Sequence, residues 1–273
     1  MSVVSSPTSI EPRGERISLP GCEIRYLEAG SGPALVHLHG AGGLRWDQSK
    51  SMLAERFRVI APEAPGFGGS ALPVGVRSLP DLAGALAELI AELAGGNAHV
   101  LGTSFGGRVA TWLALLYPDR VERLVLASPA SFRPATARPL SDLSAEEHDR
   151  LLGRQPTPTY SAHPPTPSET AATEQIRQSN LKAIAYLTEQ NPPESELLDR
   201  LAEIDTPTLV LFGVEDQLIP PENGRLYRER MPDCSLLYVY GAGHLIQQDR
   251  PDAFVRTVSE FLERGPAWVV NRG

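Results

Sequence analysis

The chain has 273 residues, 41% of them hydrophobic and 21% charged. That is the balance of a globular protein long enough for one large core, or one core plus an inserted subdomain. With 33 acidic against 25 basic side chains, a net charge of −8 and no run of Lys or Arg, it lacks the basic footprint that nucleic acid or an anionic membrane surface would need.

Residues 1–14 are expected to be a flexible N-terminus, without the charged start and apolar stretch of a signal peptide. No later stretch approaches 18 uninterrupted apolar residues, so no membrane span is expected. Cys22 and Cys234 form no close-spaced metal or redox pair, and a reduced, cytoplasmic setting is the expectation. Arg16–Leu19 and Glu23–Leu27 read as two short strands around a Pro20-Gly21 turn. Ala34–Leu38 is an apolar run that stops at His39-Gly40-Ala41-Gly42-Gly43. Phe57–Ala61 is another short strand, ending in the Pro/Gly-rich segment Pro62–Ser70. Leu82, Leu86, Leu89, Ile90 and Leu93 recur at helical spacing, with Gly95-Gly96 as the stop.

Ala98–Thr103 is a strand that leads through Ser104 directly into a helix. Val109, Leu113, Leu116 and Tyr117 share one face of that helix, and Pro118 ends it. Val121–Ser128 is strand again. Short apolar strands alternating with amphipathic helices imply a mostly parallel central sheet covered by helices on both faces. The rhythm breaks at about Phe132: from there to about Ser195 there is no strong strand, and nine of the 25 prolines fall there. Gln155–Pro167 looks irregular, and Thr173–Thr188 looks helical. The sheet pattern resumes with Thr208–Phe212 and Leu236–Tyr240, and a last helix carries Phe254, Val255, Val258, Phe261 and Leu262 on one face. The expected organisation is an α/β core over 15–131 and 196–273, interrupted by a mainly helical cap over 132–195.

Gly102-Thr-Ser-Phe-Gly106 matches G-x-S-x-G, a short pattern that gains meaning from its place between a strand and a helix. A residue at so sharp a turn is held in strained backbone geometry with its hydroxyl raised above the sheet edge. A serine nucleophile needs a base, and the base needs an orienting acid. His244 lies in the glycine-rich loop Tyr240–His244 just past the last strand. Glu215 and Asp216 lie just past the strand before it; Asp216 is favoured as the acid, with Glu215 as a solvated alternative. The order Ser104, Asp216, His244 is the order expected of a strand-turn-helix serine. All three fall at the edge where open α/β sheets bind ligands. Acyl transfer also needs donors for the developing oxyanion. The backbone N–H groups of Phe105 and Ala41 are the candidates, with His39 tying the second loop by side-chain hydrogen bonds. His37 reads as a satisfied strand residue, and Asp249 as a cap of the last helix.

His39-Gly40, Ala64–Ser70, Gly102–Gly107, Gly213–Asp216 and Gly243-His244, in that order, resemble the α/β-hydrolase superfamily, specifically its capped branch of small bacterial serine hydrolases. The resemblance implies the α/β-hydrolase fold, the triad, the oxyanion loop, a small-molecule substrate and no metal or organic cofactor. Epoxide hydrolases and haloalkane dehalogenases of this superfamily carry Asp at the nucleophile position, so Ser104 argues against both. Glu63 stands where the family usually has Asp, which bears on loop stability more than on chemistry.

Hydrolysis of a small to medium ester or lactone through an acyl-enzyme is the leading reading. A second is cleavage of a carbon–carbon bond in ring-fission diketo acids. Similar enzymes of that kind have a tryptophan after the histidine, where this chain has Leu245. They also have a cap arginine for the substrate carboxylate, where a rough match gives Asn180. A ligand receptor or scaffold on the same fold is a third reading, which turnover of a chromogenic ester would exclude. The apolar groups of 132–195 (Phe132, Leu151, Leu152, Leu181, Ile184 and Leu187 among them) are expected to pack on the core and to roof an apolar pocket above Ser104. The sequence carries no signal of oligomeric state.

Overall fold

A computed structural model describes residues 10–68, 70–132, 144–152, 167–189 and 194–265. Its centre is an eight-stranded sheet in the order β1-β2-β4-β3-β5-β6-β7-β8. The strands are β1 (Arg13–Leu19), β2 (Cys22–Ala29), β3 (Ala34–Leu38), β4 (Arg58–Pro62), β5 (Ala98–Thr103), β6 (Val121–Ala127), β7 (Thr208–Gly213) and β8 (Cys234–Val239). β2 runs antiparallel to both its neighbours, and every pairing from β4 to β8 is parallel. The expected α/β-hydrolase fold is therefore the observed one.

β1 and β2 close through a two-residue turn in which Leu19 pairs with Cys22 and Gly21 takes φ +80°, the left-handed region that glycine enters at no steric cost. β1 starts at Arg13 rather than Arg16, so Arg13 and Gly14 belong to the sheet and not to a flexible N-terminus. Residues 1–9 of that expected segment lie outside the described residues. All six residues of β5 are buried, as a central strand covered on both faces demands.

Among the described residues, helices pack on both faces. Alternate strand residues separate the two layers: Val36, Leu38, Val100, Leu124 and Val210 face one side, and Leu35, Leu101, Val125 and Leu209 the other. The first side is covered by α2 (Leu79–Ala94), α3 (Phe105–Leu116) and α7 (Gly224–Arg230); the second by α1 (Gln48–Leu53), α8 (Ile246–Asp249) and α9 (Pro251–Arg264). α2 begins with a capping box, Ser78 and Asp81 exchanging side-chain and backbone bonds, and ends on Gly95 at φ 72°. The expected stripe of α9 is buried in full, each large apolar side chain contributing about 1.5–3 kcal/mol. On α3 the shared face is buried at Val109 and Leu113, whereas Leu116 and Tyr117 are partly exposed at the helix end.

α1 and α7 have no counterpart in the apolar pattern, because each is only six or seven residues long. α1 is fixed by polar groups instead. Asp47 caps it, accepting from Lys50 N at 3.1 Å and from Ser49 Oγ at 2.6 Å, and pairs with Lys50 Nζ at 2.8 Å. Burial would raise the Asp47 carboxyl, but the Lys50 charge and these hydrogen bonds outweigh it and hold it at about 2.

Between β6 and β7 the described residues form α4 (Ala145–Leu152), α5 (Pro167–Glu189) and α6 (Glu194–Arg200). α5 extends past both ends of the expected Thr173–Thr188. Residues 155–166 of the proline-dense stretch lie outside the described residues. No helix among the described residues is long and apolar enough to cross a membrane.

β5 and α3 meet at very close range. A Cβ on Gly102 would lie 2.5 Å from Gly106 O, 2.7 Å from Gly107 Cα and 2.8 Å from Ala110 Cβ, and one on Gly106 would run into the carbonyl of Leu38. None of these neighbours is the far end of a flexible side chain. Gly102→Ala is expected to cost about 2–3 kcal/mol, read as a lower urea midpoint at unchanged slope. A loss under about 0.5 kcal/mol would mean the crossing is looser than described.

Candidate active site

Because β3, β5, β7 and β8 are parallel, their carboxyl ends share one edge of the sheet, and the loops leaving them are neighbours. Ser104 sits between β5 and α3 at φ 54°, ψ −116°, a conformation costing a non-glycine residue about 1–3 kcal/mol. Three backbone bonds hold it there: its N–H donates to Ala127 O at 2.9 Å, and its carbonyl accepts from Arg108 N at 3.1 Å and Ala130 N at 3.0 Å.

Ser104 Oγ lies 2.8 Å from His244 Nε2, and His244 Nδ1 lies 2.8 Å from Asp216 Oδ2. The other Asp216 oxygen accepts from Leu218 N and Ile219 N, each at 2.9 Å. These bonds assign the Nδ1 proton to His244 and leave Nε2 as acceptor for the serine hydroxyl. All three residues are buried. Glu215, the solvated alternative, is exposed and uses its N–H on Ala242 O. The loops carrying Asp216 and His244 cross in contact, since a Cβ on Gly213 would overlap the carbonyls of Gly243 and Ala242.

Phe105 N–H opens α3 and is one of the helix's orphan donors at its positive end. The second candidate donor, Ala41, follows a peptide whose carbonyl is doubly held. Gly40 O accepts from His39 Nδ1 at 2.7 Å and from Gly43 N at 3.1 Å. In a trans peptide C=O and N–H point opposite ways, so fixing Gly40 O fixes the direction of Ala41 N–H. A Cβ on Gly40 would lie 3.3 Å from Ser104 Cβ, which sets this loop beside the serine.

His39 ties that loop to the next one, its Nε2 accepting from Ala64 N at 3.0 Å. Its ring meets Phe67 edge-on at 5.0 Å, and Phe67 packs on Phe105 at 5.3 Å. Glu63 pairs with Arg25 at 3.2 Å and lies against Gly68, bracing the same turn.

Two expectations change in the structure. Asp249 does not cap the last helix; its Oδ2 accepts from Gly243 N at 2.7 Å and so braces the histidine loop. α9 begins instead at Arg250 without a side-chain cap, its proline occupying the first turn where no N–H is needed. His37 is only half satisfied: Nε2 meets Thr103 Oγ1 at 3.0 Å, while Nδ1 has no hydrogen-bond partner among the described residues. Burial and the nearby Lys50 hold this ring well below the usual histidine range.

Asn180 is fully buried, donating through Nδ2 to Ala41 O at 3.1 Å and accepting from Gly68 N at 3.0 Å. Its sequence signal was a polar residue in the stripe it shares with Ala183, Ile184 and Leu187 on α5. Leu152 O, at the end of α4, accepts from Leu245 N at 3.0 Å, beside His244. Of the apolar groups between β6 and β7, Phe132, Leu181 and Leu187 are buried, whereas Ile176 and Tyr186 are exposed. Leu140, Leu143 and Tyr160 lie outside the described residues, as do Arg133, Arg138 and Arg154. Arg177 is held by Glu174 through two contacts of 2.7 Å, and Lys182 is exposed. No group of three His, Cys, Asp or Glu among the described residues could hold a metal ion.

A serine, a histidine and a carboxylate linked in this order are a constellation of hydrolytic enzymes on several folds. A family model described as "Alpha/beta hydrolase family" matches residues 35–257, and the chain belongs to that family of hydrolases. The 2-hydroxy-6-oxononadienedioate/2-hydroxy-6-oxononatrienedioate hydrolase of Burkholderia vietnamiensis is 32% identical over 268 residues, covering 89% of this chain and 93% of the relative. The pimeloyl-(acyl-carrier protein) methyl ester esterase of Aeromonas hydrophila subsp. hydrophila is also 32% identical, over 254 residues, covering 85% of this chain and 96% of the relative. Among solved structures, a membrane phospholipase A described as a bacterial virulence factor superposes with a TM-score of 0.76 at 24% identity, over 92% of this chain and 86% of that one. At that identity the likeness speaks for the fold alone.

Burial pulls the His39 imidazole from its ordinary 6.5 to about 4, against its bond to Gly40. Between those values the unfolded chain binds the proton and the folded one does not. Stability is therefore full above about pH 6.5 and falls as pH drops toward 4, by up to about 3 kcal/mol for this group. His39→Gln should show a smaller drop in urea midpoint between pH 7 and pH 4.5 than the parent. An equal drop would mean that the folded chain takes up the proton on His39 as readily as the unfolded one.

Proposed function

We propose that the chain is a serine hydrolase acting through an acyl-enzyme on a small to medium uncharged ester or lactone. The observation that carries this is the unbroken chain of 2.8 Å contacts from Ser104 through His244 to Asp216, with Ser104 in strained backbone geometry. Ser104 Oγ attacks the ester carbonyl as its proton passes to His244 Nε2, and Asp216 stabilises the imidazolium that forms. The N–H groups of Phe105 and Ala41 take the oxyanion. His244 then gives the proton to the leaving alkoxide, and water activated by the same ring releases the acid. In this reading the described helices between β6 and β7, α4, α5 and α6, belong to a cap over the acyl site.

The polarity of the described cap residues supports an uncharged substrate. Asn180, matched roughly to the carboxylate-binding arginine of carbon–carbon bond hydrolases, is buried and engaged on two backbone groups. Arg177 is engaged by Glu174, and Leu245 replaces the expected tryptophan. The carbon–carbon reading keeps its place as an outcome of the test because several relatives bear such names.

A panel of neutral esters, lactones and a ring-fission dienoate tests the substrate class. Higher kcat/KM on the dienoate than on every neutral ester would replace the esterase reading with carbon–carbon hydrolysis. Absence of turnover across the whole panel would favour a receptor. For the machinery, Ser104→Ala should fold normally and lose about 10³-fold or more in kcat; retention of a tenth of parental turnover would remove Ser104 from its role. Asp216→Asn should be far more damaging than Glu215→Gln, because only the imidazole's partner fixes its tautomer. The reverse ranking would transfer the acid to Glu215.

A further inference from the structure

Gly40-Ala41-Gly42-Gly43 is a loop with little of its own to hold it. Three of its four residues are glycines, which lose the most conformational freedom on ordering. A Cβ on Gly42 would meet nothing within 4 Å, and Gly43 takes φ +83°. One internal bond, Gly43 N to Gly40 O, closes the turn. Together with His39 Nδ1 it fixes the Gly40–Ala41 peptide, but neither bond engages the Ala41–Gly42 peptide.

The second peptide is held from outside the core. Asn180 Nδ2 donates to Ala41 O at 3.1 Å, and the loop wraps the amide so closely that a Cβ on Gly43 would lie 2.9 Å from that nitrogen. The other end of the amide accepts from Gly68 N at 3.0 Å, so its orientation is fixed by opposite hydrogen-bonding demands at its two ends. The helix that carries it is anchored too. Ala183 and Leu187, one and two turns on, belong to the main core cluster, and a Cβ on Gly66 would lie 3.5 Å from Ala183 Cβ.

We infer that Asn180 is a positioning residue for the oxyanion loop, an inference that rests on the serine-hydrolase reading above. Its hydrogen bonds go to Gly68 and Ala41 and not to Ser104, and they restrain Ala41 on the side that the loop's own bonds do not reach. The helix between β6 and β7 is thereby a fixed part of the catalytic edge, and moving α5 away would release the Ala41 carbonyl.

The test compares Asn180→Ala and the near-isosteric Asn180→Asp with the parent and with Ser104→Ala on a chromogenic ester. Inhibition by an alkyl boronic acid, which forms a tetrahedral adduct on an active serine, is measured alongside. Both Asn180 variants are expected to lose about 10–100-fold in kcat, less than deletion of a donor, with KM within about threefold. Boronate affinity should fall by a similar factor, because that ligand mimics the tetrahedral state. Asn180→Asp keeps an acceptor for Gly68 N but sets an oxygen against Ala41 O, so its loss reports the Ala41 side. It also decides the matter if Asn180→Ala fails to fold. Parental kcat and boronate affinity in folded Asn180→Asp, with Ser104→Ala inactive, would overturn the inference and leave the site reading standing. A rise in KM alone would overturn it as well. Turnover retained by Ser104→Ala would instead sink the serine-hydrolase reading.

Discussion

The close crossing of β5 and α3 governs the whole carboxyl edge. Gly102, Gly106 and Gly107 let the strand and helix approach until backbone meets backbone, and the chain can turn between them only by forcing Ser104 to φ 54°. The strain of about 1–3 kcal/mol is tolerated because the flanking elements are over-determined. β5 is wholly buried, and Val109, Trp112 and Leu113 anchor α3 in the larger core cluster. Local geometry thus raises one hydroxyl above the sheet, and hydrophobic burial several residues away keeps it there.

Parallel pairing does the rest of the assembly. With β3, β5, β7 and β8 running the same way, loops about two hundred residues of chain apart leave from one edge. Backbone groups and short polar side chains then brace each loop. His39 fixes Gly40 and Ala64, the N–H groups of Leu218 and Ile219 orient Asp216, and Asp249 holds Gly243. Two further braces come from the β6–β7 connection, Asn180 on Ala41 and Leu152 on Leu245. Relatives equally similar to this chain bear names of quite different reactions. The edge therefore goes with the family, and on the reading proposed here substrate choice is left to the groups around it.

What could be read from the sequence followed periodicity and local geometry. The strands of the parallel core, the α2 stop at Gly95 and the buried stripe of α9 lie where the apolar pattern put them, because burial imposes that pattern. Ser104, His244 and Asp216 could be found because each follows a strand at a glycine-marked turn. The structure brings together the side chains expected to meet there. Other features were hidden because their causes are not periodic. α1 depends on the Asp47–Lys50 pair, and α7 is too short for a stripe. Asp249 looked like a cap because it lies in the loop between His244 and the last helix, whereas its carboxylate turns back to Gly243. Asn180 stood out only as the rough counterpart of a cap arginine, and its two partners lie more than a hundred residues away in the chain.

The central claim is that Ser104 Oγ is the group acylated during turnover. Incubation of the protein with an activated alkyl fluorophosphonate, followed by peptide mass mapping, tests it most directly. The account predicts one adduct per chain, carried by Ser104, with ester hydrolysis lost in proportion to labelling and no adduct on Ser104→Ala. An adduct mapped to a different residue that tracks the loss of activity, or full activity in chains labelled at Ser104, would contradict it.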